Sequence, residues 1–251
     1  MDKTFIGIIP ARYASTRFPG KPLAKIGGVS MIERVYRQVC KSLDQVYVAT
    51  DDQRIFDTVV HFGGRAVMTS TNHRSGTDRC HEAYEKIGND ASVVINIQGD
   101  EPFIDPKQID TLKECFAKDD TQIATLVRPF PPTGDYADLE NQNSPKVVID
   151  DAGHALYFSR SVIPFVRGAE RESWPSCVRF YTHVGIYAFR SDVLKEIVKM
   201  PQSSLELAES LEQLRWLQNG YQIQTAVTKN RTFGIDTPQD LEAAEKYLLN
   251  L

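Results

Sequence analysis

Between positions 12 and 21 the chain carries Arg12, Arg17 and Lys21, three cations within ten residues. Their neighbours are small or rigid. Ala11, Ala14, Ser15 and Gly20 leave room for a ligand to approach the main chain, and Pro19 and Pro22 fix φ and cut the loop's freedom. Such a loop suits an anion with several oxygens, such as a triphosphate, because Arg offers a fork of donors and Lys a mobile point charge. The bland alternative is a solvated basic loop. No G-x-x-x-x-G-K-[ST] and no G-x-G-x-x-G accompanies these residues, so an ordinary ATPase and a hydride-transfer enzyme both lose ground.

Asp100, in NIQGDEP, ends a strand pattern and is the acid best placed to answer that loop, while Asp236 stands in FGIDTP. A carboxylate beside a polyphosphate needs a cation between them, and Mg²⁺ takes one or two carboxylates plus phosphate oxygens. By spacing alone Asp100 could equally end a strand as an Asx turn, and Asp236 could cap a helix that Thr237 and Pro238 open. In HRSGTDR, Ser75 begins a helix whose N–H groups can receive an anion, or it simply caps that helix. His183 and Tyr187 are four apart in an apolar strand pattern, which puts both rings on one face. Cys177 lies near His183, but Cys40, Cys80, Cys115 and Cys177 are scattered without a C-x-x-C. They suggest neither a disulfide framework nor a zinc site, and they suit a reducing cytosol.

The elements that must position these residues alternate through the first half. Phe5–Ile9 reads as a buried strand that Pro10 closes. Ser30 and Glu33 have capping-box spacing ahead of a helix. Val46–Ala49, Arg65–Met68 and Val93–Ile97 read as strands. Thr50, Asp51 and Asp52 start a helix through Ile55, Val59 and Val60 that Gly63 and Gly64 stop; further helices fit Ser75 to about Ile87 and a stretch opened by Asp105 and Pro106. Apolar strands alternating with helices predict a parallel sheet covered on both faces, with ligands beyond the carboxyl ends of the strands. The second half has crowded prolines from Pro129 to Pro145, a hairpin Val147–Ile149 and Ala155–Phe158, and strands at Val184–Phe189 and Gln222–Val227. An amphipathic helix over Leu205–Leu217 shares Leu207, Leu211 and Leu214 on one face, and a closing helix spans Thr237–Leu249. The expectation is one α/β domain, 1–251, with a β-rich lobe inserted at about 130–178.

The 251 residues are 41% hydrophobic and 25% charged, an ordinary globular balance. The net charge of −4 argues against nonspecific nucleic-acid binding. No signal peptide is visible, and no apolar run approaches the roughly 20 residues of a membrane helix. A cytoplasmic location is expected.

Taken in order, IPARYASTRFPGKPL, ATDD, NIQGDEP, YFSR, HVGIY and GIDTP resemble the sugar nucleotidyltransferases, and in detail the 3-deoxy-manno-octulosonate (Kdo) cytidylyltransferases. The resemblance runs from about Phe5 to Tyr247. It implies a Rossmann-like, three-layer nucleotidyltransferase fold with a mainly parallel mixed sheet, whose β-rich lobe forms a homodimer. It implies transfer of CMP from CTP to the anomeric oxygen of a 3-deoxy-2-ulosonic acid, with pyrophosphate leaving, for lipopolysaccharide biosynthesis. Lys21, Asp100 and Asp236 would be catalytic, with Mg²⁺ on Asp100 and Asp236. Ala11, Arg12, Arg17, Lys21, Ser75, Arg79 and Gln98 would hold the nucleotide. Gln98, Arg160, His183, Tyr187, Glu212 and Gln213 would hold the sugar acid, with Arg160 or Arg167 facing its carboxylate. Phe189 departs from the family's second Tyr. A CMP-sialic acid synthetase, an 8-amino-Kdo cytidylyltransferase and an inactive nucleotide sensor are the rival readings.

Overall fold

A computed structural model describes residues 3–14, 18–88, 90–230 and 234–249. The strands are β1 (Phe5–Ala11), β2 (Lys25–Ile26), β3 (Val29–Ser30), β4 (Val46–Thr50), β5 (Ala66–Met68), β6 (Val93–Asn96), β7 (Ile123–Pro129), β8 (Lys146–Ile149), β9 (Ala155–Ser159), β10 (Tyr181–Arg190) and β11 (Ile223–Val227). The helices are α1 (Met31–Val39), α2 (Gln53–His61), α3 (Gly76–Ile87), α4 (Pro106–Cys115), α5 (Tyr136–Leu139), α6 (Trp174–Cys177), α7 (Ser191–Ile197), α8 (Ser204–Glu209), α9 (Gln213–Gln218) and α10 (Pro238–Leu248). The chain forms two compact units: residues 1–110, 188–198 and 232–251, and residues 111–187 and 199–231. The 130–178 stretch falls wholly within the second.

In the first unit β1 is central. It pairs in parallel with β4 on one side and β6 on the other, and β5 follows β4. β1, β4 and β6 are mostly apolar and buried, as a sheet covered on both faces requires, whereas the edge strand β5 is only part-buried and ends in exposed Met68. A Cβ on Gly7 would meet Val39 and Leu43 from the α1 side, whereas Gly76 of α3 lies against Pro10. Residues 7 and 10 of one strand point to opposite faces, so helices cover both.

Pro10 does not end β1. The strand runs on to Ala11, with Pro10 opposite Ala49. The reason is positional. The N–H of Gly7 bonds the β4 side, at Gln45, so those of even-numbered residues face β6. Pairing with β6 stops at Ile8, where Ile97 N–H reaches the Ile8 carbonyl. Pro10's missing N–H therefore costs no ladder bond.

Ser30 also behaves differently from its spacing. It precedes α1 but makes no side-chain cap, and Glu33 pairs instead with Arg37 at i+4. Ser30 is held by the β2–β3 ribbon, opposite Lys25.

In the second unit β11 pairs in parallel with β7, β8 and β9 form the expected hairpin, and β10 pairs antiparallel with β8. Leu139, Trp174 and Phe180 centre a small core here. The predicted Leu205–Leu217 helix is two helices. Ser210 breaks it at φ 51°, in the left-handed region, so Leu207 is 63% exposed while Leu211 and Leu214 are buried. The break is held by a bidentate pair across it, Arg215 to Glu206 at 2.5 and 2.7 Å, both residues buried.

Candidate functional site

The first unit brings most of the nucleotide and metal candidates into one cavity of about 260 Å³. Ala11, Arg12, Lys21, Ser75, Arg79, Gln98, Asp100 and Asp236 all line it. Arg17 lies outside the described residues.

Lys21 opens a short 3-10 turn, Lys21–Leu23. Gly20 adopts φ 71° there and donates its N–H to the Tyr13 carbonyl at 2.9 Å, and an Arg54 guanidinium covers the Tyr13 ring at 3.4 Å. Proline at the turn's second position stiffens it. Lys21 Nζ lies 2.6 Å from Asp100 Oδ2 and 3.2 Å from Asp236 Oδ1.

Asp100 reaches this point because the turn after β6 passes close to the end of β1. A Cβ on Gly99 would stand 2.9 Å from the Pro10 carbonyl oxygen, a contact only glycine avoids. Asp236 reaches it because it is not the cap. Thr237 accepts from Asp240 N–H, and Asp240 accepts from Thr237 N–H, a full capping box. Burial and the neighbouring Asp100 carboxylate push Glu101 up to about 8.

At the N-terminus of α3, Ser75 is the cap, accepting from Asp78 N–H at 3.1 Å. Arg79 lines the cavity, yet much of its guanidinium is turned inward. It donates to Asp51 at 2.7 Å, to Thr69 at 2.6 Å and to the Ser70 carbonyl. Gln98 donates to Asn96 at 3.5 Å.

Sequence reasoning passed over His73 and Arg74 as ligands, although both line the cavity within the same HRSGTDR stretch. It also passed over their supports. Glu82 receives His73, Ser70 N–H and Lys86. Burial alone would raise this carboxyl, but those donors outweigh it and bring it down to about 2.

In the second unit His183, Tyr187 and Trp216 form a chain of tilted and edge-on rings with centroids 5.2 and 5.0 Å apart. His183 Nε2 sits 2.9 Å from Thr125 Oγ1, whose hydrogen serves the Ile186 carbonyl at 2.8 Å. Nε2–H therefore donates to the hydroxyl, leaving Nδ1 as an acceptor. Burial brings His183 down to about 3, so the ring is neutral. Burial first, and then the Glu212 charge, raise the Tyr187 hydroxyl well above its ordinary range. Gln213 is 4% exposed, and its Nε2 has no hydrogen-bond partner among the described residues. Arg160 donates to the carbonyls of Gln142, Glu209 and Ser210, which ties it to the break after α8.

A cytidylyltransferase family profile matches residues 6–229. A 3-deoxy-manno-octulosonate cytidylyltransferase of Bacteroides thetaiotaomicron is 61% identical over 98% of both chains. One of Phocaeicola vulgatus is 62% identical over 97% of both. The chain belongs to the cytidylyltransferase family.

A solved CMP:2-keto-3-deoxy-manno-octonic acid synthetase complexed with CTP is 40% identical and superposes with a TM-score of 0.91 over 99% of both chains. The nucleotidyltransferase fold expected from the motifs is thereby the fold of this chain. Like the family, the chain is a nucleotidyltransferase. Among the described residues no helix is long and apolar enough to cross a membrane.

Proposed function

We propose that the protein transfers the CMP moiety of CTP to the anomeric oxygen of 3-deoxy-D-manno-octulosonate, releasing pyrophosphate. The carrying observation is the convergence of Asp100 and Asp236 on the Lys21 ammonium inside a cavity that Arg12 and Arg74 also line. Full-length relatives above 60% identity bear the same activity in their names.

The donor set fits a hard divalent ion. Two carboxylate oxygens already converge on one cation, and no group of three or more His, Cys, Asp or Glu among the described residues offers a closed cage. Mg²⁺ suits this, since it takes few carboxylates and completes its octahedron with phosphate and water. Asp100 and Asp236 would hold it. When bound, it neutralises phosphate charge and orients the attacking oxygen.

The chain's own groups do the rest. Arg12, Arg74 and Lys21 present positive charge to the triphosphate, and charge placed before the reaction costs no reorganisation during it. The α3 N-terminus adds main-chain N–H groups beside Ser75 and Gly76. In the second unit, neutral His183 offers Nδ1 to a sugar hydroxyl. Buried Gln213 offers an unpartnered amide N–H, and Glu212 accepts a hydroxyl hydrogen. Two terminal nitrogens of Arg160 each retain an N–H beyond the bonds described, which can meet the sugar carboxylate. We further infer a cytoplasmic homodimer formed through the β-rich lobe. A sedimentation mass of one chain at all concentrations would remove the dimer.

Pyrophosphate release tests the reaction. It should require both CTP and Kdo, and it should fall sharply with UTP or ATP, or with sialic acid in place of Kdo. Equal rates with sialic acid would overturn the sugar assignment.

A further inference from the structure

The point on which the two carboxylates converge is taken by a side chain of the protein. The Lys21 ammonium has three N–H groups, and it contacts Asp100 and Asp236 at 2.6 and 3.2 Å. Its backbone is fixed by Gly20 and Pro22 in the 3-10 turn, but its four-carbon stem is free to pivot. The side chain is 17% exposed, while those of Asp100 and Asp236 are 30% and 49% exposed.

We propose that Lys21 and the divalent ion compete for these oxygens, and that the nucleotide's phosphates decide the outcome by drawing the ammonium away. The inference rests on the metal reading above. An ammonium and a dication cannot share the same carboxylate oxygens, because at such separations their repulsion is large even with partial screening. The ammonium leaves only for another anion of comparable strength. A triphosphate in the cavity lined by Arg12, Lys21 and Arg74 is one. Once Lys21 turns to phosphate, it no longer occupies the Asp100 and Asp236 oxygens, and these bind a dication instead. Metal and nucleotide therefore enter together, and each raises the other's affinity by the same factor. Lys21 is thus a placeholder as well as a phosphate ligand. It keeps two carboxylates aligned for the ion that replaces it.

The test is a Mn²⁺ titration in the absence of nucleotide, read by loss of the free-ion electron paramagnetic resonance signal. Wild type, Lys21→Met, Lys21→Gln, Lys21→Arg and Arg12→Met are compared at constant ionic strength, with folding checked by circular dichroism. The Met and Gln variants should bind Mn²⁺ about tenfold or more tightly than wild type, within the usual span of site coupling. Lys21→Arg should bind as weakly as wild type, and Arg12→Met should stay within about twofold of it. Equal tightening in Arg12→Met would mean a general charge effect and overturn the competition. Unchanged or weaker binding in both Lys21→Met and Lys21→Gln would overturn it too. Adding Asp100→Asn to Lys21→Met separates the two levels of argument. If that change abolishes binding, the carboxylates hold the metal whatever Lys21 does. If it has no effect, the metal reading itself fails.

Discussion

The main-chain N–H of Ile235 donates to the carbonyl of Asp100 at 3.0 Å. This one bond locks the turn after β6 to the segment before α10 and sets the two metal-binding candidates side by side. It uses no side chain, so either carboxylate can be altered while the frame stays in place.

Asp100→Asn and Asp236→Asn should each fold normally and lower turnover by about 10²- to 10³-fold, the order of loss seen when one preorganised stabiliser of transition-state charge is removed. The double variant should be scarcely worse than either single one, since both act on one ion. Turnover at saturating Mg²⁺ decides. Losses that multiply in the double would assign the two carboxylates to different steps.

Asp51→Ala should destabilise the fold by about 3–5 kcal/mol, because it strands the Arg79 guanidinium, which is 4% exposed. Asp51→Leu with Arg79→Met should recover most of that loss, since an apolar pair leaves no buried charge uncompensated. Urea denaturation measures both. A cost under about 1 kcal/mol for Asp51→Ala, no more than an ordinary hydrogen bond, would show that the pair is not holding the α3 N-terminus in place.

His183→Ala and Glu212→Ala should raise KM for the sugar acid and leave CTP binding nearly intact, each losing about 0.5–1.5 kcal/mol of hydrogen bonding or somewhat more. With His183 brought down to about 3, its neutral ring should also leave the sugar KM flat from pH 6 to 8. A titration near 6.5 that vanishes in His183→Ala would contradict the neutral acceptor.

Glu82 gives a pH signature. Its folded value, about 2, lies below its unfolded value of 4.5, so its contribution to stability is complete above pH 4.5 and fades as pH falls toward 2. Glu82→Gln should therefore unfold at lower temperature at pH 6, with the gap to wild type narrowing as pH approaches 3. A gap that stays constant with pH would detach Glu82's role from its charge.

Much of this was legible because the signals are local. Ser75 followed by Gly76–Ile87, and Val46–Thr50, are elements whose caps and apolar runs lie within a few residues of each other. The errors came where a partner distant in sequence overrules such signals. Pro10 stays in its strand because β6 stops pairing at Ile8. Leu207 turns outward because Ser210 breaks the helix and Arg160 and Arg215 hold the break. The support of His73 by Glu82, and of Arg79 by Asp51, could not be read at all. Arg79 meets Asp51 only once α3 packs against the end of β4, and His73 meets Glu82 only once the turn folds back on α3; nothing in the spacing of an acid and a base reports either approach. Lys21, Asp100 and Asp236 were legible as residues, but the contact between them was not.

Lys21 and Asp236 stand 215 residues apart in the chain. Ile235 and Ala244 pack with Ile26 and Met31 in one buried cluster, so the late segment also braces the ribbon that follows Lys21. During synthesis, the triphosphate loop and Asp100 emerge long before their second acid. A ribosome-bound chain can thus build the sheet and the cationic cavity while still lacking one of the two carboxylates proposed to hold the metal. Catalytic competence should switch on abruptly, when the segment through α10 clears the exit tunnel and docks, rather than grow with chain length.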